Sequence, residues 1–221
     1  MDQIFVSILR LVVRFLRSFT GSIKNQNRPH FEIERKYRIS QEEFERLPVR
    51  LHTEGFVRED RVSMTDTFIP AEHEGETIRL REQISESGKT VTILTIKQWV
   101  DVAGGRERQE AESEGIDSTT RECLLALGRR LNSGKGDLLS YSKARTTYSA
   151  FKKRYPVIAA FDQVSGLGDY SGHYMEIEVL VNSESEVSRA REFVESFARE
   201  LLGEEREMAM SYSEMLRRAR V

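Results

Sequence analysis

The stretch HFEIERKYRIS, residues 30–40, decides how this chain is read. Glu32, Glu34 and Lys36 fall on one side of an alternating pattern, and Ile33, Tyr37 and Ile39 fall on the other. A period of two is the signature of a β-strand, whose successive side chains point to opposite faces. The apolar side must meet a core. The charged side holds two acids and a base in line, which raises the question of what it faces. The same pattern returns along the chain: Arg79 and Arg81 against Ile78 and Leu80, Lys97 against Leu94 and Ile96, and Glu176 and Glu178 against Ile177 and Val179.

One reading is a single sheet with a solvated face. Against it stands the sorting by sign: acids cluster on the first and last strands, bases on the middle ones. The sorting predicts strands that close into a barrel around a charged tunnel, with the apolar residues turned outward beneath flanking helices. Burying unpaired charges is prohibitive, so such a tunnel is wet and its charges neutralise one another or an occupant. The occupant is therefore expected to be multiply charged. The alternation has exceptions, since Val91 and Ile93 share the parity of Lys97, and Ile158, Ala160 and Val164 that of Asp162. Those strand ends are expected to leave the tunnel or meet its floor.

Between the strands the chain carries helix signals. Ser40 and Glu43 form a capping box opening a short helix that Pro48 helps to close. A helix is expected from about Ser118 to Leu131, with Cys123 as a small buried apolar residue of no catalytic role. Ser183 and Glu186 read as a further capping box. After them Val187, Ala190, Phe193, Val194, Phe197, Ala198 and Leu201 make an apolar stripe that Gly203 ends. A last helix starts at Ser211, with Glu214 in the box position. SGKT at residues 87–90 and SGKGD at 133–137 are read as turns, because neither has the spacing and following helix of a phosphate-binding loop.

The 221 residues suit one domain with an appendage, and 32% of them are charged, an excess that a charged tunnel would house. The formal net charge of −2 offers no bulk field for nucleic acid. A single cysteine fits a reducing, cytoplasmic setting, and four scattered histidines argue against a zinc site. Residues 1–27 stand apart as an amphipathic helix and linker. Gln3, Ser7, Arg10, Arg14 and Arg17 share one stripe, almost everything else up to Phe19 is apolar, and the segment carries four basic residues against Asp2. Arg10 and Arg14 interrupt any membrane span. The helix either packs on its own domain or a second subunit, as in a homodimer, or lies flat at anionic headgroups as a peripheral membrane contact through residues 1–20.

ExExK at Glu32, Glu34 and Lys36, with TIRLR, LTIK, KAR, FDQVSGLGDY and EIE in that order, resembles the CYTH family of triphosphate tunnel metalloenzymes. The likeness runs from His30 nearly to the end, so residues 28–221 are expected to form the family's tunnel domain, which the resemblance implies to be an α+β fold: a closed antiparallel eight-stranded β-barrel tunnel with a charged interior, flanked by helices. The resemblance implies that Glu32, Glu34, Glu176 and Glu178 hold Mg2+ or Mn2+, with Asp162 as a further candidate ligand. It implies that Lys36, Arg79, Arg81, Lys97, Lys143 and Arg145 grip a triphosphate. Glu110 and Glu112 resemble the pair facing a second metal, with Arg106 and Arg108 nearby, and Lys36, Glu110 and Glu112 are the candidate catalytic residues. The chemistry agrees: carboxylates two apart on a strand point the same way and offer a hard cation its oxygen ligands, and arginine's planar fork suits phosphate. The turn between Gly168 and Glu176 is longer than the family's usual one, and Trp99 shares the parity of Lys97 at the tunnel's rim. Two functions follow from the resemblance, a metal-dependent triphosphatase acting on tripolyphosphate, thiamine triphosphate or a nucleoside triphosphate, and a class IV adenylyl cyclase; a third reading, of another class, is a non-catalytic polyphosphate-binding module tethered to a membrane by residues 1–20.

Overall fold

The computed structural model describes residues 31–71, 76–102, 105–132, 137–203 and 207–220, and of residues 100–110 the backbone course alone. The amphipathic segment 1–27 and most of SGKGD lie outside the described residues. In chain order the elements are β1 (Phe31–Ile39), α1 (Gln41–Thr53), β2 (Val57–Ile69), β3 (Thr77–Ser85), β4 (Thr90–Val102), β5 (Gly105–Glu114), α2 (Ser118–Leu131), β6 (Leu139–Lys152), β7 (Tyr155–Ser165), β8 (Gly172–Val181), α3 (Glu184–Leu202) and α4 (Tyr212–Arg218). The strands follow the order β1-β5-β4-β3-β2-β6-β7-β8 around a closed barrel, every pair antiparallel. The β1–β8 ladder runs from Phe31–Val181 to Ile39–His173, whereas the β1–β5 seam consists of Phe31–Gln109 and Glu32–Arg108. GRERQEAESE, residues 105–114, had no clear strand pattern of its own, being polar on both sides. Its ladder with β4, from Ile93–Glu114 to Val102–Gly105, makes it β5.

The apolar sides of the strands do turn outward, into two cores. Ile33, Tyr37, Ile39, Val157, Ala159, Ile177 and Val179 pack beneath Leu47 and Leu51 of α1 and the stripe of α3, all seven of whose predicted positions are buried. Ile69, Ile78, Leu80 and Leu94 pack against Leu124 and Leu125 of α2. Each buried aliphatic or aromatic side chain contributes about 1.5–3 kcal/mol relative to exposure, so these two layers hold the barrel open from outside. A third cluster joins Tyr212, Met215 and Leu216 of α4 to Tyr141, Val164, Leu167 and Tyr174. Val164, one of the exceptions to the alternation, therefore meets the helix that caps this end of the barrel. Ile93 is likewise buried on the inward side of β4.

Four local expectations are decided by packing. The Ser40–Glu43 capping box forms, but Pro48 lies inside α1, which continues to Thr53. The missing N–H costs one helical bond, and full burial of Leu47 and Leu51 on either side outweighs it. The N-cap of α3 is Ser183, yet its hydroxyl accepts from the Ser185 amide and no box with Glu186 forms. Cys123 is exposed, because the buried side of α2 is Leu124, Leu125 and Gly128, and position 123 points away from it. SGKT is the β3–β4 turn: Gly88 adopts φ of 80° and its N–H donates to the Ser85 carbonyl at 2.9 Å.

Candidate active site

Inside the barrel lies a cavity of about 500 Å³, lined by Lys36, Arg79, Arg81, Lys97, Lys143 and Arg145, by Glu32, Glu34, Glu176 and Glu178, and by Glu112. Strand register explains how residues far apart in sequence arrive there. On β1 and β8, Glu34 faces Glu178 and Lys36 faces Glu176, which builds a wall of acids. On the opposite side, β3 and β6 contribute Arg79, Arg81, Lys143 and Arg145, and β4 brings Lys97.

The basic wall is held by two buried aspartates. Asp66 on β2 stands directly across from Arg81, whose Nε and Nη2 donate to its two oxygens at 2.7 and 2.9 Å; the Tyr141 hydroxyl donates at 2.7 Å. Asp162 on β7 stands across from Arg145, whose Nε and Nη2 both donate at 2.6 Å, and it also accepts from Lys143 at 2.8 Å and from the Tyr212 hydroxyl at 3.0 Å. Both aspartates are fully buried. Burial alone would raise the Asp66 carboxyl, but the Arg81 hydrogen bonds and the Arg79 and Arg81 charges overcome it and hold the group far below the usual range. Asp162 behaves alike: burial opposes its charge, and Arg145 and Lys143 prevail.

Asp162, expected as a further candidate metal ligand, therefore sits among the basic side chains, where its oxygens accept from two bases and a phenol. Asp66, Tyr141 and Tyr212 were missed. Asp66 was detectable as the lone acid in VSMTDTFI on the inward parity; its partners were not, because they depend on register. Tyr212 opens α4 after the Ser211 N-cap, and its ring lies 3.9 Å from Lys36 Nζ, a cation–π contact at the capped end. Tyr174 donates to the Tyr170 carbonyl at 2.5 Å and packs edge-on against Tyr212, so the long turn before β8 seats α4.

The acidic wall is less well balanced. Lys97 donates to Glu32 at 3.0 Å, Lys36 lies 3.2 Å from Glu176 and 3.9 Å from Glu34, and Arg145 also contacts Glu176. Glu178 pairs with no described residue. Burial, with Glu32 and Glu34 beside it, pushes its carboxyl up to about 8, and burial with Glu176 and Glu32 likewise raises Glu34. Among the described residues no group of three or more acids, histidines or cysteines is close enough to enclose an ion. The donor set nevertheless fits one: Glu32, Glu34 and Glu178 are all-oxygen ligands crowded together in excess of local positive charge, the chemistry a hard divalent cation relieves.

Glu112 accepts from the Thr95 hydroxyl at 2.8 Å and from Arg79 at 3.4 Å, which orients its carboxylate beside the basic wall. The backbone of Glu110 lies opposite Lys97 and that of Arg108 opposite Trp99. The side chains of Glu110, Arg106 and Arg108 lie outside the described residues.

Burial and the adjacent Arg145 lower the Lys143 ammonium to about 8, with Asp162 only partly offsetting them. Anion binding favours the charged form, so above pH 8 binding must take up a proton. Affinity for tripolyphosphate is expected to fall by about tenfold per pH unit between pH 8 and 10. In Lys143→Arg, whose charge does not titrate there, this limb should become shallower, leaving the share that ionisation of Glu178 contributes in the same range; calorimetric titration at several pH values checks both.

The CYTH domain family model matches residues 30–212. Among solved structures, the PH1819 protein from Pyrococcus horikoshii OT3 is similar at 28% identity and a TM-score of 0.66, covering 85% of this chain and 99% of that one. The PH1012 protein from the same organism is similar at 22% identity and a TM-score of 0.62, covering 83% and 98%. A candidate adenylate cyclase from Vibrio parahaemolyticus is similar at 18% identity and a TM-score of 0.54, covering 85% and 98%. At these last two identities the likeness carries the fold alone. No curated protein matches the chain in sequence.

Proposed function

Because the chain belongs to the CYTH domain family, we propose that it is a divalent-metal-dependent phosphohydrolase that removes the terminal phosphoryl group of an inorganic or organic triphosphate bound in the barrel. One observation carries this reading: six bases from four strands and the acidic wall of β1 and β8 meet in a single cavity. Counting Glu114, which also lines the cavity, and the buried Asp66 and Asp162, the six bases face eight carboxylates, so a polyanion enters favourably only with added positive charge. Glu32, Glu34 and Glu178, with Glu176 beside them, would hold Mg2+ or Mn2+, which when bound supplies charge neutralisation and Lewis-acid polarisation of phosphoryl oxygens.

The chain's own residues do the rest. Arg81 and Arg145, clamped by Asp66 and Asp162, present guanidinium edges to phosphate oxygens in a fixed place, so little ordering remains to be done on binding. Arg79, Lys143 and Lys97 extend that grip, and Lys36 places positive charge at the capped end. Water attacks the terminal phosphorus, the bridging P–O bond breaks, and Glu112, oriented by Thr95, receives the proton.

The test is by product. Incubation with tripolyphosphate, thiamine triphosphate or ATP, each with Mg2+ or Mn2+, is expected to release orthophosphate. Cyclic AMP with pyrophosphate from ATP would replace the hydrolase reading with the cyclase one. Tight anion binding without turnover of any of the three would leave a binding module.

A further inference from the structure

At one end of the barrel, β6 and β7 run past their neighbour. They continue to pair through Phe151–Pro156 and Lys152–Tyr155, beyond the last β7–β8 pair, Val157–Val179. The outward side of this ribbon is buried: Tyr155 and Val157 belong to the core around α3, and Ala150 packs against it. The inward side carries apolar residues too, yet Phe151 is 71% exposed and Pro156 is exposed. Register extends the strip to both sides. Val57, 66% exposed, pairs with Ser149, which shares Phe151's parity; Leu180, 39% exposed, lies opposite Glu32. A sheet end that is apolar on both faces, and covered on one, is a surface awaiting a cover.

The chain itself supplies a matching segment at that place. Phe31 pairs with Val181, next to Leu180, so β1 begins beside this strip. The ten residues 21–30 can span up to about 34 Å, enough to bring residues 1–20 back across it. Those twenty residues are apolar on all but one stripe, and residues 1–27 carry a net +3 against −5 for the remainder. We propose that residues 1–20 dock on the strip formed by Val57, Phe151, Pro156 and Leu180, with Arg10, Arg14 and Arg17 turned away from it toward solvent and the acidic body of the domain. The docking does not depend on what the cavity binds.

Limited digestion of the full chain with trypsin, followed by mass spectrometry of cleavage after Arg10, Arg14 and Arg17, tests it. Cleavage reports the undocked population when docking is fast relative to cutting. Phe151→Glu and Val57→Glu are each expected to speed these cleavages about tenfold, with far-UV circular dichroism unchanged because both side chains lie outside the core. Val49→Glu, at a position equally exposed on α1, is expected to leave the rate as in the natural sequence. Equal rates in all four proteins would overturn the proposal. So would protection that disappears on dilution, which would mark a second copy as the occupant, or protection that arises only with vesicles containing anionic lipid, which would mark a membrane.

Discussion

Glu34→Gln is expected to lower turnover by about a thousandfold while leaving the protein as stable as before, or more so, at neutral pH. The loss follows from the position of the carboxylate. It faces Glu178 across the β1–β8 ladder in the cluster proposed to hold the metal, and withdrawing several kcal/mol of transition-state stabilisation slows a reaction by about that factor. The stability expectation comes from the raised acidity range of the group. Burial, Glu176 and Glu32 all push Glu34 above its ordinary value of 4.5. A carboxyl raised on folding contributes most below pH 4.5, and that contribution is lost as pH rises through the folded value, so above its ordinary range the group works against the fold. Glutamine removes the repulsion, and thermal unfolding of the two proteins should converge at pH 4 and diverge at pH 8. Phosphate release measured alongside distinguishes the outcomes: a variant as active as the natural sequence would remove the acidic wall from the mechanism.

Asp162→Asn should have the opposite character, a loss of about 3–5 kcal/mol in chemical denaturation. Asp162 neutralises Lys143 and Arg145 in the interior, and asparagine keeps the shape while leaving two cations facing a neutral group. The sign of the pH dependence reverses as well. The Asp162 carboxyl is held low, so its contribution is present above pH 3.8 and is lost as pH falls through the folded value. The difference between the two proteins should therefore be large at pH 7 and shrink in acid. Tripolyphosphate should stabilise the variant more than the natural sequence, since the anion replaces the missing charge. A loss below about 1 kcal/mol would show that Asp162 does not hold the basic wall.

The two variants divide the cavity into parts that differ in how readable they were. Most wall residues were legible because they announce themselves locally. In EIERK and MEIEV, a charge at every second position beside Ile or Val can only be a strand with unlike faces, and the four acids and four bases singled out this way line one cavity, whereas Lys143, Arg145 and Glu112 were visible only through the family resemblance. The residues behind the wall were not. Asp66 and Tyr141 meet because β2 pairs with β6 across more than seventy positions of chain, and Tyr212 reaches Asp162 from a helix that follows the barrel altogether. Asp162 was visible as an acid, but its sequence neighbours could not say whether it would serve a metal or two bases.

Sequence alone determined the inside-out barrel, because side-chain alternation is a property of consecutive residues and charges sorted by sign on that period have few other places to go. Tertiary structure alone decided which charge neutralises which, that Pro48 stays within α1 and that Cys123 faces out. These outcomes depend on strand register and on which helix face is pressed to the barrel. Register is set by the sum of many distant pairings, and no single stretch of chain contains it.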